Sequence, residues 1–231
     1  MLFSIVQIFV LSALSHASQD APACTDKQDL AFLIDTTTTI TEQGVVMAQS
    51  LAISIISNFT INKDYTRAAY VSFGHESMIR FSFKTFSSNE EVDLMIALDD
   101  SLNGTARYES ETKILNETMH VLNLLFSEEL GSRPDVNRVL IFISNGKFTD
   151  ELQSEIVQEY LKEQNIKLLV AGVGREIDVG LLELLVDDKV NDIFTAEERN
   201  SGYMIDRIHE LTKEFCNRNS TQINENSSSI S

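Results

Sequence analysis

Apolar residues recur along this chain at two different spacings. Residues 30–34 (LAFLI) form an unbroken apolar run that ends at Asp35. Similar runs occupy 67–73 (RAAYVSF), 139–143 (VLIFI) and 166–173 (IKLLVAGV), with a shorter one at 192–195. Runs of this length closed by polar residues predict strands buried on both faces, as in the middle of a parallel sheet. Between them the apolar positions recur every three to four residues. Val45, Val46, Ala48, Leu51, Ala52, Ile55, Ile56 and Phe59 predict a helix over 41–59, with Thr41 or a neighbour as its cap. Further helices are predicted over 88–98, opened by Ser88, and over 112–130, with Leu115, Met119, Leu122, Leu125 and Phe126 on one face. Three more are predicted over 151–163, 178–186 and 201–215. Residues 77–83 (SMIRFSF) alternate instead, directly after the Gly74-His75 turn. Alternation across so tight a connection predicts an antiparallel partner at the sheet edge.

Strands alternating with helices imply βαβ units. The predicted fold is a doubly wound α/β domain over residues 29–216. Its sheet is mostly parallel with one antiparallel edge strand, and helices cover both faces. Outside this region the pattern changes. Residues 2–14 are almost continuously apolar, and Ser15-His16-Ala17 supplies small residues, so 1–17 reads as a secretory signal. Residues 18–28 form a polar leader, and 217–231, rich in Asn and Ser, form a tail expected to be disordered. No later stretch reaches about 18 apolar residues, so no membrane span is expected in the mature chain.

Composition narrows the function classes. The chain carries 35 acidic and 18 basic residues, a net charge of −17. That argues against nucleic acid as a partner, because phosphate binding needs clustered Lys and Arg. Cys24 and Cys216 bracket the patterned region; they are either free thiols or one disulfide, and a secreted chain favours the disulfide. Asn58, Asn103, Asn116, Asn219 and Asn226 all stand in glycosylation sequons. Signal, paired cysteines and sequons together predict a secreted, extracellular glycoprotein.

The candidate chemistry lies where strands end. Asp35, Thr37 and Thr39 follow the first strand, Thr112 opens the helix after a long polar loop, and Asn145 follows 139–143. Ligands of open α/β sheets bind beyond the carboxyl ends of the strands, where these three places converge. Carboxylate, hydroxyl and amide oxygens are hard donors suited to Mg²⁺ or Mn²⁺ rather than zinc. The same residues also read more simply: Asp followed by Thr caps helices and orders turns, and Asn145-Gly146 is a strong turn pair.

These motifs resemble the von Willebrand factor type A domain, also seen as the inserted domain of integrin alpha chains. The family's D-x-S-x-S is matched by Asp35-Thr-Thr37-Thr-Thr39. Its loop Thr, followed by a helix ending in Leu-Phe, is matched by Thr112 with Leu125-Phe126; Ser110 is the alternative to Thr112. Its strand running into T-D-G is matched by VLIFISNGK, and LLVAGVG (168–174) fits the next strand. The resemblance implies a metal-ion-dependent adhesion site, in which Asp35, Thr37, Thr39, Thr112 and Asn145 hold Mg²⁺ or Mn²⁺. An acidic residue of an extracellular protein partner would then complete the shell. Two departures stand out. Both serines are threonines, which keeps the hydroxyls. The family's aspartate is Asn145, which removes a negative charge worth a few kcal/mol at about 4 Å and an effective dielectric near 20.

Other signals carry less. Gly172-Val-Gly174 lacks the third glycine of a dinucleotide loop, and Ser144-Asn-Gly lacks P-loop spacing. His16, His75, His120 and His209 show no metal-pair spacing, and no nucleophile–base pair or G-x-S-x-G elbow is present. The chain is therefore read as a binding module and not an enzyme; the alternatives are an interaction module whose metal site has decayed and which binds through another surface, and, less readily, a secreted hydrolase.

Overall fold

The computed structural model describes residues 27–37, 39–73, 77–99, 114–147, 154–188 and 191–197. The expected signal, final helix and tail lie outside these residues, as does the leader up to 26; Gln28, expected to end the leader, already belongs to the first strand. The elements are β1 (Gln28–Asp35), α1 (Glu42–Ile56), β2 (Thr66–Phe73), β3 (Met78–Phe81), α2 (Asn89–Ala97) and α3 (Ile114–Leu125). A 3-10 turn (Glu128–Leu130) leads to β4 (Asn137–Ser144), α4 (Ser154–Glu163), β5 (Ile166–Gly174), α5 (Val179–Glu183) and β6 (Ile193–Glu197).

The strands form one sheet in the order β3-β2-β1-β4-β5-β6. All pairs are parallel except β2–β3, which is antiparallel at the edge, as the alternation in 77–83 predicts. The strand order turns back between β1 and β4, the crevice where α/β sheets place ligands. Register brings Ile34 opposite both Ser72 and Ile143, so the loops after β1, β2 and β4 leave the sheet at one level.

Side chains alternate across a strand, and here both faces are apolar. Phe32, Ile34, Tyr70, Ile141 and Ile143 pack under α1 and α2 through Val45, Ala52, Ile56, Val92 and Ile96. Leu33, Val71, Phe73, Leu140 and Phe142 face the other way, against Leu122 and Leu125 of α3 and Val157 and Leu161 of α4. Caps set where α1 and α2 start. The Thr41 hydroxyl accepts the Gly44 N–H at 3.0 Å, and the Ser88 hydroxyl accepts the Glu91 N–H at 3.3 Å.

Besides α1, which stops at Ile56 rather than at 59, three elements are shorter than their patterns predict. The strand expected over 77–83 stops at Phe81, because the Ser82 N–H turns to the Thr85 hydroxyl at 2.9 Å. The helix expected to reach 130 stops at Leu125, where Ser127 starts a separate 3-10 turn closed by Gly131 at φ +90°. The helix expected over 178–186 covers Val179–Glu183 only; Leu185 and Val186 are buried without being helical, which lengthened the apparent period.

On α2, one oxygen of the half-buried Asp93 carboxylate has no hydrogen-bond partner. Burial, with a smaller push from Glu90, raises its pKa to about 6 from 3.8. The unfolded chain therefore releases this proton first. Stability falls as pH climbs from the unfolded value to about 6, and stays lower above it. Asp93→Asn is expected to stabilise the protein at pH 7 by about 1 kcal/mol after allowance for solvent screening. Near pH 3 it should change little. Urea unfolding of both proteins at the two pH values checks this; equal stability at pH 7 would contradict it.

Candidate functional site

The site starts where β1 leaves the sheet. The Thr36 N–H and hydroxyl both donate to the Phe73 carbonyl at 2.8 Å, which holds the outgoing loop on β2. Asp35 is 2 % exposed and ends β1 with its carboxylate turned into the loop. Its Oδ1 accepts the Thr37 N–H at 2.8 Å and the Thr37 hydroxyl at 2.7 Å. Thr37 and Thr39 hydroxyls lie 2.6 Å apart, and the Thr39 hydroxyl donates to Asn145 Oδ1 at 3.4 Å. A chain of oxygens thus runs from Asp35 through Thr37 and Thr39 to Asn145. Asp35, Thr37 and Asn145 are buried, and Thr39 is exposed.

The β4 side is built by its own turn. Gly146 adopts φ +78°, a conformation that favours glycine. This turn lets the Lys147 N–H reach Asn145 Oδ1 at 3.0 Å. The Asp178 N–H donates to the Asn145 carbonyl at 2.8 Å, tying the turn to the start of α5. Asn145 Nδ2 donates across the crevice to the Thr39 carbonyl at 2.6 Å.

One contributor goes beyond the residues singled out from sequence. The Ser144 hydroxyl donates to Asp35 Oδ2 at 2.7 Å and accepts the Gly146 N–H at 3.0 Å. Its place at the end of a buried strand, in the position of the T of T-D-G, is the signal that could have found it.

Four residues singled out from sequence, Asp35, Thr37, Thr39 and Asn145, come together. Thr112, the fifth, lies outside the described residues, as do Cys24, Cys216, Asn103, Asn219 and Asn226. Asn116 lies on α3. Asn58 follows α1 at the far end of the sheet, where its side-chain amide donates to the Ser54 carbonyl at 2.7 Å.

Of the four gathered residues, only Asp35 carries a formal charge. Among the described residues no three His, Cys, Asp or Glu side chains gather as a metal cluster. The oxygens are of the hard type that suits Mg²⁺ or Mn²⁺, but the charge is that of a single carboxylate. Beside them, Lys147 pairs with Glu176 at 2.5 Å. The hydrogen bond from Lys147 holds the exposed Glu176 carboxyl below its usual range.

Sheet order, strand-end oxygens and turn define a family. The von Willebrand factor type A domain model matches residues 29–212, and the chain belongs to that family. It is 24% identical over 168 residues to human von Willebrand factor A domain-containing protein 2, covering 72% of this chain and 21% of that protein. Mouse Matrilin-2 is 23% identical over 219 residues (92% and 21%), and the mouse Collagen alpha-6(VI) chain 26% over 152 residues (65% and 6%). The chain thus spans about a fifth or less of these three proteins. Among solved structures, proximal thread matrix protein 1 from the mussel byssus, with a zinc-occupied MIDAS motif, superposes at TM-score 0.62. It is 18% identical, and the match covers 85% of this chain and 47% of that one. Manganese-loaded Plasmodium vivax TRAP protein superposes at TM-score 0.59 and 17% identity, covering 80% and 73%. These likenesses show the fold.

Proposed function

We propose that this chain is a secreted, glycosylated adhesion module that binds an extracellular protein through the face built from Asp35, Thr37, Thr39 and Asn145. The observation that carries this reading is the run of oxygens at the carboxyl ends of β1 and β4, opening to solvent at Thr39. Relatives named as a matrilin and a collagen chain support an interaction role in the extracellular matrix. A neighbour with zinc in its MIDAS motif, and another loaded with manganese, support a divalent cation at this face. In this chain Asp35, Thr37, Thr39 and Asn145, joined by Thr112, would hold Mg²⁺ or Mn²⁺. The ion would supply a coordination position for an acidic side chain of the partner. Lacking the second carboxylate, the site holds such an ion weakly. Binding, not catalysis, is the activity proposed.

A second reading places the contact on another surface, and the charge lost at Asn145 favours it. Two variants separate the readings. Asp35→Asn removes the charge with little change of shape, and Thr39→Arg blocks the exposed end of the face. Each is expected to weaken binding to an immobilised extracellular-matrix extract by about tenfold or more, the scale of a central contact residue. Circular dichroism should be unchanged. Undiminished binding by both variants would favour the second reading.

A further inference from the structure

The geometry points to Asn145 as the residue that holds the two site loops together in place of a divalent ion. This rests on the adhesion face proposed above and says how that face is kept in shape.

The Asn145 amide is used at both ends. Its oxygen accepts the Lys147 N–H at 3.0 Å and the Thr39 hydroxyl at 3.4 Å, while its nitrogen donates to the Thr39 carbonyl at 2.6 Å. These partners fix which end is which. A main-chain N–H can only donate and a carbonyl can only accept, so turning the amide over would set donor against donor and acceptor against acceptor. The bond to Thr39 spans 106 positions of sequence and joins the loop after β1 to the turn after β4. Asn145 is buried and Thr39 exposed, so the bond ties the buried turn to the open end of the β1 loop.

An aspartate could not make this bond. Its oxygen would lie against the Thr39 carbonyl oxygen with no hydrogen between them. Toward the β1 loop, a carboxylate at this position would keep only the long bond from the Thr39 hydroxyl, and a cation would have to replace the lost link to the Thr39 carbonyl. Ser144 adds a second crossing, from its hydroxyl to Asp35 Oδ2 at 2.7 Å. The face is therefore assembled by hydrogen bonds within the chain, and its shape does not depend on Mg²⁺ or Mn²⁺.

Hydrogen exchange on the intact chain tests this without any partner. Peptides covering 36–41 and 145–147 should exchange at the same rate in EDTA and in saturating Mn²⁺. In Asn145→Asp the same peptides should exchange about tenfold faster in EDTA, the effect of one lost hydrogen bond, and return to the wild-type rate with Mn²⁺. Peptides from β1 and β5 should not change. Wild-type loops that loosen in EDTA and tighten with Mn²⁺ would overturn the inference. An Asn145→Asp variant as protected as wild type in EDTA would also overturn it. If Asn145→Asp does not fold, the wild-type comparison decides alone. Because exchange is read without a partner, failure of the adhesion reading leaves this result untouched.

Discussion

Arg133→Ala is expected to lower stability by about 3–5 kcal/mol, the cost of leaving a buried charge without its partner. Asp29 is the second residue of β1 and is fully buried. Arg133 supplies it with a main-chain N–H at 2.5 Å, Nε at 2.9 Å and Nη2 at 2.8 Å. The same Nη2 reaches the carbonyls of Gln28 at 2.7 Å and Tyr65 at 2.8 Å, so one guanidinium stitches the starts of β1 and β2 together. Burial pushes the Asp29 carboxyl above its usual range, and Arg133 pulls against that push. In Arg133→Ala the carboxylate keeps the desolvation and the main-chain N–H but loses the guanidinium charge and its bonds. Asp29→Leu with Arg133→Leu should recover most of the loss, because apolar replacement of both partners removes the buried charge. Urea midpoints at an unchanged slope measure both effects. A loss below about 1 kcal/mol in Arg133→Ala would show that water already screens the pair.

Gly146→Val is expected to cost about 2–5 kcal/mol and to displace Asn145. The backbone at φ +78° already disfavours a side chain by roughly 1–2 kcal/mol. A Cβ there would stand 2.5 Å from the Asp178 carbonyl oxygen and 2.9 Å from Leu182 Cγ. The first is backbone and cannot swing aside, so the turn or the start of α5 must move, adding about 1–3 kcal/mol. Moving the turn breaks the Asn145–Thr39 and Asn145–Lys147 bonds together, so loss of stability and loss of the binding face should appear in one variant. Gly180→Ala is the contrast. Its Cβ would meet only Asp178 Oδ1, at 3.5 Å, an ordinary contact inside a helix. Thermal unfolding of both variants tests the difference. Equal, small effects would mean that the Gly146 turn yields easily.

What was legible in the sequence follows from what decides each feature. The runs in β1, β4 and β5 are apolar on both faces, so pattern alone identifies them as central parallel strands. Thr41 and Ser88 act through bonds three residues away, and such local chemistry is readable. Asp35, Thr37, Thr39 and Asn145 come together because βαβ topology brings strand ends to one edge. The Asp29–Arg133 pair joins residues 104 positions apart, and nothing in either neighbourhood marks it. The end of α5 was misread because burial of Leu185 and Val186 mimics a helical face. The donor role of Asn145 was invisible for another reason. Read as a substitute for aspartate it is a weaker ligand; only the position of the Thr39 carbonyl reveals that its nitrogen is the working end.

The adhesion face proposed above puts the partner on the crevice between β1 and β4. The most direct measurement compares binding of wild type, Asp35→Asn, Thr39→Arg and Glu128→Ala to the same immobilised matrix extract. Glu128 is exposed in the turn after α3, at the opposite end of the sheet near the Asp29–Arg133 pair. Asp35→Asn and Thr39→Arg are expected to lose about tenfold or more while Glu128→Ala binds as wild type does. Full binding by both crevice variants, or a loss confined to Glu128→Ala, would contradict that placement of the partner.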